Sequence, residues 1–178
     1  YRGRMMKKLI PLALFLIIAI FLFLSLSSDP SKLPSPFLGK MFPSIEGKDF
    51  YTDETIKVSE ILDNKMTLVN VWASWCTTCR KEHQMIMNIA KNTDLQLIGI
   101  DYKDTREEGA EYLERLGNPY DEIIFDPAGK IGMELGVYAT PETFLVNEQG
   151  FILYKHIGEI TQRVWDENFV VHLNAIES

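Results

Sequence analysis

The sequence predicts an α/β domain built on one mixed sheet. Short apolar and β-branched runs alternate with helical patterns, as strands and the helices that cover them do. The last two runs lie close enough to form a hairpin. From Phe37 to Ser178 there are 142 residues, enough for a single domain with a proper core. No internal repeat breaks this reading.

Taken in order, a short hairpin is expected about Gly47-Lys48 and a short helix near Ser59 to Leu62. Residues 67–73 form the central strand. Thr67, Leu68, Val69, Val71 and Trp72 give it the apolar and β-branched content of a strand buried on both faces. Residues 77–91 then read as a helix, with Met85, Ile86, Ile89 and Ala90 near one face. Leu95 to Asp101 is the next strand. Thr105 caps a helix with Glu107 and Glu108 in its first turn, and Leu116-Gly117 ends it before Pro119. Ile123 to Phe125 is a short strand, Asp126-Pro127 a turn, and Ala128 to Leu135 a short helix stopped by Gly136. Thr143 to Val146 and Phe151 to Ile157 pair around Asn147-Glu148-Gln149-Gly150. A last helix runs from about Thr161 to Ala175.

Ahead of this domain, Leu9 to Leu26 is an uncharged run of 18 residues. Arg2, Arg4, Lys7 and Lys8 precede it, and no basic residue follows until Lys32. The run is longer than the roughly 7–15 residues of a signal-peptide core, which favours an uncleaved anchor over cleavage near Ser25 to Ser28. The positive-inside rule then puts residues 1–8 in the cytoplasm and the rest outside. Residues 27–36, rich in Ser and Pro, read as a tether, and 37–178 as the domain. All 25 acidic residues but only 14 of the 18 basic ones lie beyond the anchor, a formal charge of −11. Nucleic-acid binding is disfavoured, since it needs basic patches. The acidic surface would suit a basic partner, but net charge alone is better explained by solubility.

The chemistry is carried by Trp75-Cys76-Thr77-Thr78-Cys79, at the junction of the central strand and the following helix. The unpaired amides and dipole at a helix N-terminus favour a thiolate, so Cys76 is placed for a lowered pKa. Cys79 lies within one turn, in reach of a disulfide, and these are the only cysteines. A zinc site would need two more ligands, and His83, His156 and His172 show no paired spacing. A haem attachment site would need His where Arg80 stands. A purely structural bridge closing so few residues would constrain the unfolded chain little. A redox-active dithiol fits best, with Cys76 attacking and Cys79 resolving the mixed disulfide.

Trp72 reads as core and Trp75 as the edge of the site. Thr140-Pro141 precedes a strand, where proline is tolerated because no donor is needed there, or is a cis bond presenting backbone beside the dithiol. Glu82, one turn beyond Cys79, and Glu142 are candidate acids for moving a proton if buried; a solvated surface position is the alternative for each. His83 reads as packing or polar structure.

Strand, Trp-Cys-x-x-Cys, helix and a distant Thr-Pro before a hairpin resemble the thioredoxin superfamily, over about Phe37 to Ala175. The closer similarity is to the CcmG/DsbE family, membrane-anchored periplasmic thiol:disulfide proteins of cytochrome c maturation. It rests on Phe37-Leu38-Gly39-Lys40, Phe42-Pro43, Asn70-Val71-Trp72 and Trp75 to His83. Most specific is Gly136-Val137-Tyr138-Ala139-Thr140-Pro141-Glu142-Thr143-Phe144-Leu145. The resemblance implies a thioredoxin-like fold, Cys76 as exposed nucleophile, Cys79 as resolving thiol, Pro141 in cis opposite the dithiol, and Glu82 and Glu142 as acids near it. Trp75, Tyr138 and Thr140 are the expected substrate-binding residues. Thioredoxin has a buried Asp where Asn70 stands, so another acid, Glu82, is expected to serve. Ala139-Thr140 replaces the family's usual Gly-Ala, and Ala73 and Thr77 stand where a Pro is common, which bears on substrate preference and redox potential.

What the resemblance implies is a protein-disulfide reductase in the bacterial inner membrane, single-pass, with its domain in the periplasm and no cofactor or metal. Its expected partners are apocytochrome c or maturation proteins of CcmH type, fed by a membrane donor of DsbD or CcdA type. A general thiol reductase resembling the TlpA or ResA groups is the nearest alternative, disfavoured by the stretch from Gly136. A peroxiredoxin-like reading lacks a separate peroxidatic cysteine. A tethered copper-binding module would be expected to carry Cys-x-x-x-Cys, which is absent.

Overall fold

The computed structural model describes Pro11 and residues 14–23, 37–62 and 64–177. The chain divides into two units between Leu33 and Pro34. In the first, residues 14–23 are helical with exposed apolar side chains such as Phe15 and Phe21. Among the described residues no helix is long and apolar enough to cross a membrane. The expected cytoplasmic segment 1–8 and tether 27–36 lie outside the described residues, as do the two ends of the expected anchor 9–26.

The second unit is a seven-stranded sheet. Its strands are β1 (Glu46–Asp49), β2 (Thr55–Lys57), β3 (Thr67–Trp72), β4 (Gln96–Tyr102), β5 (Glu122–Asp126), β6 (Glu142–Val146) and β7 (Ile152–Ile157). They lie in the order β2-β1-β5-β4-β3-β6-β7. The β3, β4 and β5 strands are parallel, joined by helices α2 (Thr77–Asn92) and α3 (Arg106–Leu116); β6 returns antiparallel beside β3. Helices α1 (Val58–Ile61) and α4 (Lys130–Glu134) complete the middle of the chain. At its end α5 (Gln162–Val164) runs through a π-helical turn, Trp165–Phe169, into α6 (Val170–Glu177).

Every residue of β3 is buried, as its composition predicts, and alternation divides it between two cores. Leu68 and Trp72 join Ile86 and Ile89 of α2, Tyr112 and Leu113 of α3, and Trp165 and Phe169. Val69 and Val71 face the other way, with Val58 of α1, Ile131 of α4, Ile98, Ile100 and Phe144. At the far edge, Gly39 to Phe42 run along the start of β7. Gly39 N–H donates to Ile152 O at 2.8 Å, Ile152 N–H to Lys40 O at 2.9 Å, and Met41 bridges Phe151.

Three element expectations shift. Gly47-Lys48 lies inside β1 rather than at a turn, because Gly47 packs where a Cβ would meet the Ile131 side chain at 2.8 Å. The reversal comes at residues 50–54, where Asp49 Oδ1 accepts from the amides of Tyr51 and Thr52. The helix expected from Ala128 begins at Lys130, since Gly129 takes φ 68° and donates to Asp126 O. The last helix carries the π turn, which keeps Trp165 and Phe169 stacked at 5.3 Å with both rings buried.

Candidate active site

The β3 strand ends at Trp72, and the chain turns through Ala73, Ser74 and Trp75 before α2 begins. Cys76 is the N-cap of α2, in extended conformation, and its Sγ accepts from Cys79 N–H at 3.0 Å. That amide is one of the orphan donors of a helix start, so the cap that a Ser or Asp usually supplies is here a sulfur. Cys76 and Cys79 are joined in a disulfide. Neither sulfur-bearing residue is exposed in this bonded form, at 5 % and 2 %, which corrects the expectation of an exposed Cys76. Cys76 is the more exposed of the two.

The turn before Cys76 is tied down from three sides. Asp104, buried between β4 and α3, accepts from Ser74 N–H at 2.5 Å and Ser74 Oγ at 2.9 Å. Arg80 donates to Ser74 O, and Trp75 Nε1 to Lys103 O. Trp75 is nevertheless 57 % exposed beside the disulfide. On the other side of the sulfurs, Thr140-Pro141 is a cis peptide at the start of β6, and Thr140 O lies 3.5 Å from Cys76 Sγ. Tyr138, 66 % exposed, stands in the same loop, with Thr140 half-buried. The dithiol thus sits between two wall segments, each presenting an aromatic ring to solvent.

The two candidate acids lie on opposite faces of the sheet. Glu82 is on the α2 face, 2 % exposed. Its Oε1 accepts from Asn70 Nδ2 at 3.1 Å and its Oε2 from Ile160 N–H at 2.9 Å. Burial outweighs these donors and pushes its carboxyl up to about 7. Asn70 is itself held by Tyr120, whose hydroxyl donates to Asn70 Oδ1 at 2.7 Å, while Nδ2 also donates to Thr143 Oγ1. With Oδ1 occupied in this way the amide can only donate toward Glu82. Glu142 is opposite Val71 in register and shares its face, away from Asn70 and Glu82. Its Oε1 accepts from Tyr138 and Ala139 N–H at 3.1 and 3.2 Å, and its Oε2 pairs with Lys155 Nζ at 2.7 Å. Lys155 also donates to Gly136 O. The pair is shielded, with side-chain exposures of 4 % and 0 % for Lys155 and Glu142. This geometry suits Glu142 to holding the Tyr138–Pro141 loop rather than to moving a proton at the sulfurs.

His83 is buried, and desolvation holds it below its ordinary pKa, so the ring is neutral. Its Nε2 faces Gly117 O, which only accepts, so Nε2 carries the proton and Nδ1 accepts from Tyr112 OH. This is a structural lock between α2 and α3. Among the described residues no three His, Cys, Asp or Glu side chains converge to hold a metal.

The Redoxin family pattern matches residues 38–170. The DsbE thiol:disulfide interchange protein of Allochromatium vinosum is 43 % identical over 161 residues, covering 90 % of this chain and 89 % of that protein. The chain belongs to the DsbE family. The DsbE protein of Escherichia coli K12 is 39 % identical over 165 residues, covering 89 % of each. DsbE is the CcmG of the sequence resemblance, and the family makes this chain a thiol:disulfide oxidoreductase. Among solved structures, a DsbF homologue from Corynebacterium diphtheriae superposes with a TM-score of 0.65 at 18 % identity, covering 83 % of this chain and 96 % of that one. A secreted thiol-disulfide isomerase from Corynebacterium glutamicum gives 0.63 at 22 % identity, covering 78 % and 92 %. At those identities the likeness bears on the thioredoxin-like fold alone.

Within the stretch from Gly136 to Leu145, Thr140 meets Cys76 through its backbone oxygen, while Glu142 holds the loop and is itself paired with Lys155 outside the stretch. Asp104 and Lys155 were not singled out in the sequence. Lys155 left one signal, a lysine inside an otherwise apolar and aromatic strand run. Asp104 left none, because the Ser74 amide and hydroxyl that it holds are 30 residues upstream.

Proposed function

We propose that this DsbE-family chain is the membrane-tethered reductant of cytochrome c maturation, acting on the disulfide of an apocytochrome c or of a maturation partner of CcmH type. The observation that carries the exchange chemistry is the Cys76–Cys79 pair at the start of α2, 3.5 Å from Thr140 O of a cis-proline loop. In the reduced form the Cys76 thiolate attacks one sulfur of the substrate disulfide. The substrate S–S bond breaks, its leaving thiolate takes up a proton, and Cys76 holds the other half as a mixed disulfide. Cys79 then gives its proton to Glu82, whose carboxyl, at about 7, is poised between its two forms. The Cys79 thiolate attacks Cys76 Sγ, the mixed S–S bond breaks, and the second substrate thiolate leaves and takes up a proton, while Glu82 gives its proton back to the solvent. The substrate gains two electrons and two protons, and the chain is left as the disulfide.

Trp75, Tyr138 and Thr140 are assigned to the substrate, as two exposed rings and a half-buried threonine flanking the sulfurs. A donor of DsbD or CcdA type returns the electrons by the reverse exchange. The basic residues Arg2, Arg4, Lys7 and Lys8 before the apolar run 9–26 support an inner-membrane anchor with the domain in the periplasm.

Equilibration of the protein with glutathione tests the direction of electron flow. A potential of roughly −270 to −200 mV is expected for a reductant, and one near about −120 mV would make it an oxidant and end this reading. Reduction of an oxidised Cys-x-x-Cys-His peptide in preference to an unrelated disulfide peptide separates cytochrome c work from general thiol reduction.

A further inference from the structure

Each oxygen of Glu82 faces a donor. Oε1 accepts from Asn70 Nδ2 at 3.1 Å, and Oε2 from the Ile160 amide at 2.9 Å. Neither partner can accept in return, because Asn70 Oδ1 is taken by the Tyr120 hydroxyl and a peptide N–H only donates. These surroundings suit a carboxylate. Thiol exchange also asks Glu82 to hold the Cys79 proton, and the oxygen that takes it becomes a donor and a poor acceptor. One of the two bonds must then open, and the two sides differ in freedom. Asn70 lies in β3, 1 % exposed, and is held by Tyr120 at 2.7 Å and by Thr143 at 2.9 Å as well as by Glu82. Ile160 lies in the connection between β7 and α5. That connection starts at Gly158, which takes φ 102° with no heavy atom within 4 Å of the place a Cβ would occupy. Gly158 N–H donates to Pro141 O at 2.9 Å. One amide of the connection is thus tied to the cis-proline and another to the acid.

We propose that residues 158–160 are the positioning element for Glu82: the Ile160 amide holds the carboxylate, lets go when Glu82 carries the proton, and passes the change through Gly158 to Pro141. Ile160 is then a positioning residue, acting through its backbone. By linkage, a partner chain seated on the cis-proline loop shifts the proton affinity of Glu82, and the proton in turn shifts the loop. The ionisable groups that bear on Glu82 are Glu159 of the same connection, Tyr112 of α3 and Tyr120 ahead of β5. Burial keeps both tyrosines neutral, and the charge of Glu159 favours the protonated acid. This coupling rests on Glu82 receiving the Cys79 proton, and not on which disulfide is the substrate.

The test titrates the oxidised wild-type protein and Glu82→Gln from about pH 8 to about pH 5, a window that spans the Glu82 midpoint of about 7. The carboxylic-acid C=O band in the infrared reports Glu82 itself. The amide resonances of Ile160 and Gly158 and the side-chain amide of Asn70 report its surroundings. As pH falls, the wild-type band is expected to grow with a midpoint near 7, and the Ile160 and Gly158 amides to shift with it. Protection of the Ile160 amide against hydrogen exchange should fall about tenfold, the worth of a bond to a charged acceptor. In Glu82→Gln, whose Nε2 cannot accept, the band should be missing and both amides should stay at their low-pH positions throughout. A band that titrates while Ile160 keeps its shift, or while Asn70 moves in its place, overturns the coupling and leaves the Glu82 proton step standing. No such band down to about pH 5 overturns the proton step and the coupling together. Where Glu82→Gln does not fold, the wild-type titration decides by these same outcomes.

Discussion

Glu82 shows how a buried amide fixes the hydrogen bonding of a neighbouring acid. Where thioredoxin has an acid, this chain has Asn70, an amide pinned by Tyr120 so that it donates to Glu82. The buried acid beside it is Glu82, on the helix that starts with the two cysteines. Its raised pKa has a cost in stability. The unfolded chain releases the Glu82 proton near pH 4.5 and the folded one near 7, so unfolding becomes easier as pH rises across that window. The displacement corresponds to roughly 3 kcal/mol. Glu82→Gln should flatten that part of the pH profile of urea unfolding and slow release of the mixed disulfide; an unchanged profile would return Glu82 to a structural part. At the sulfurs, Cys76→Ser should abolish exchange, while Cys79→Ser should accumulate a mixed disulfide visible on non-reducing gels. Tyr138→Ala, an exposed position, should leave stability within about 0.5 kcal/mol. It should raise KM for a protein disulfide and spare oxidised glutathione.

Between elements, the cis-proline loop owes its position to a strand that never reaches the sulfurs. Lys155 of β7 crosses to Glu142 of β6, and together they hold Gly136 O and the amides of Tyr138 and Ala139. Lys155→Met should cost about 3–5 kcal/mol in urea unfolding, since it leaves a buried carboxylate unpaired. Adding Glu142→Gln should recover part of that loss, and no recovery would mean that the two do not act as a pair. This clamp was hidden in the sequence for a geometric reason. Lys155 stands opposite Phe144 in register and reaches Glu142 only on the diagonal. The parts that were legible depend on local chemistry. The buried β3 run, the Thr105 cap and the Cys76 position at a helix start all follow from neighbours within a turn. The Gly47 position is ambiguous because glycine serves both turns and close packing, and only the Ile124 and Ile131 side chains packed against it decide between them. The π turn at Trp165 has no local signal, since it is the core that draws Trp165 and Phe169 inward together.

For the whole molecule, the functional sulfurs sit at one end of the sheet, where β3 ends and β6 begins. The sheet's two margins differ. β2 is only three residues long, too short to template another chain. β7 is six residues long and lies at the opposite margin, and the backbone at Ile152 is engaged by Gly39 and Lys40. Backbone that is already engaged cannot pair with another chain. The residues just after the proposed tether thus occupy the start of β7, where another chain would otherwise find free backbone. A soluble version beginning at Phe37 should stay monomeric on size exclusion, whereas one beginning after Phe42 should self-associate through its bared margin while its dithiol remains competent.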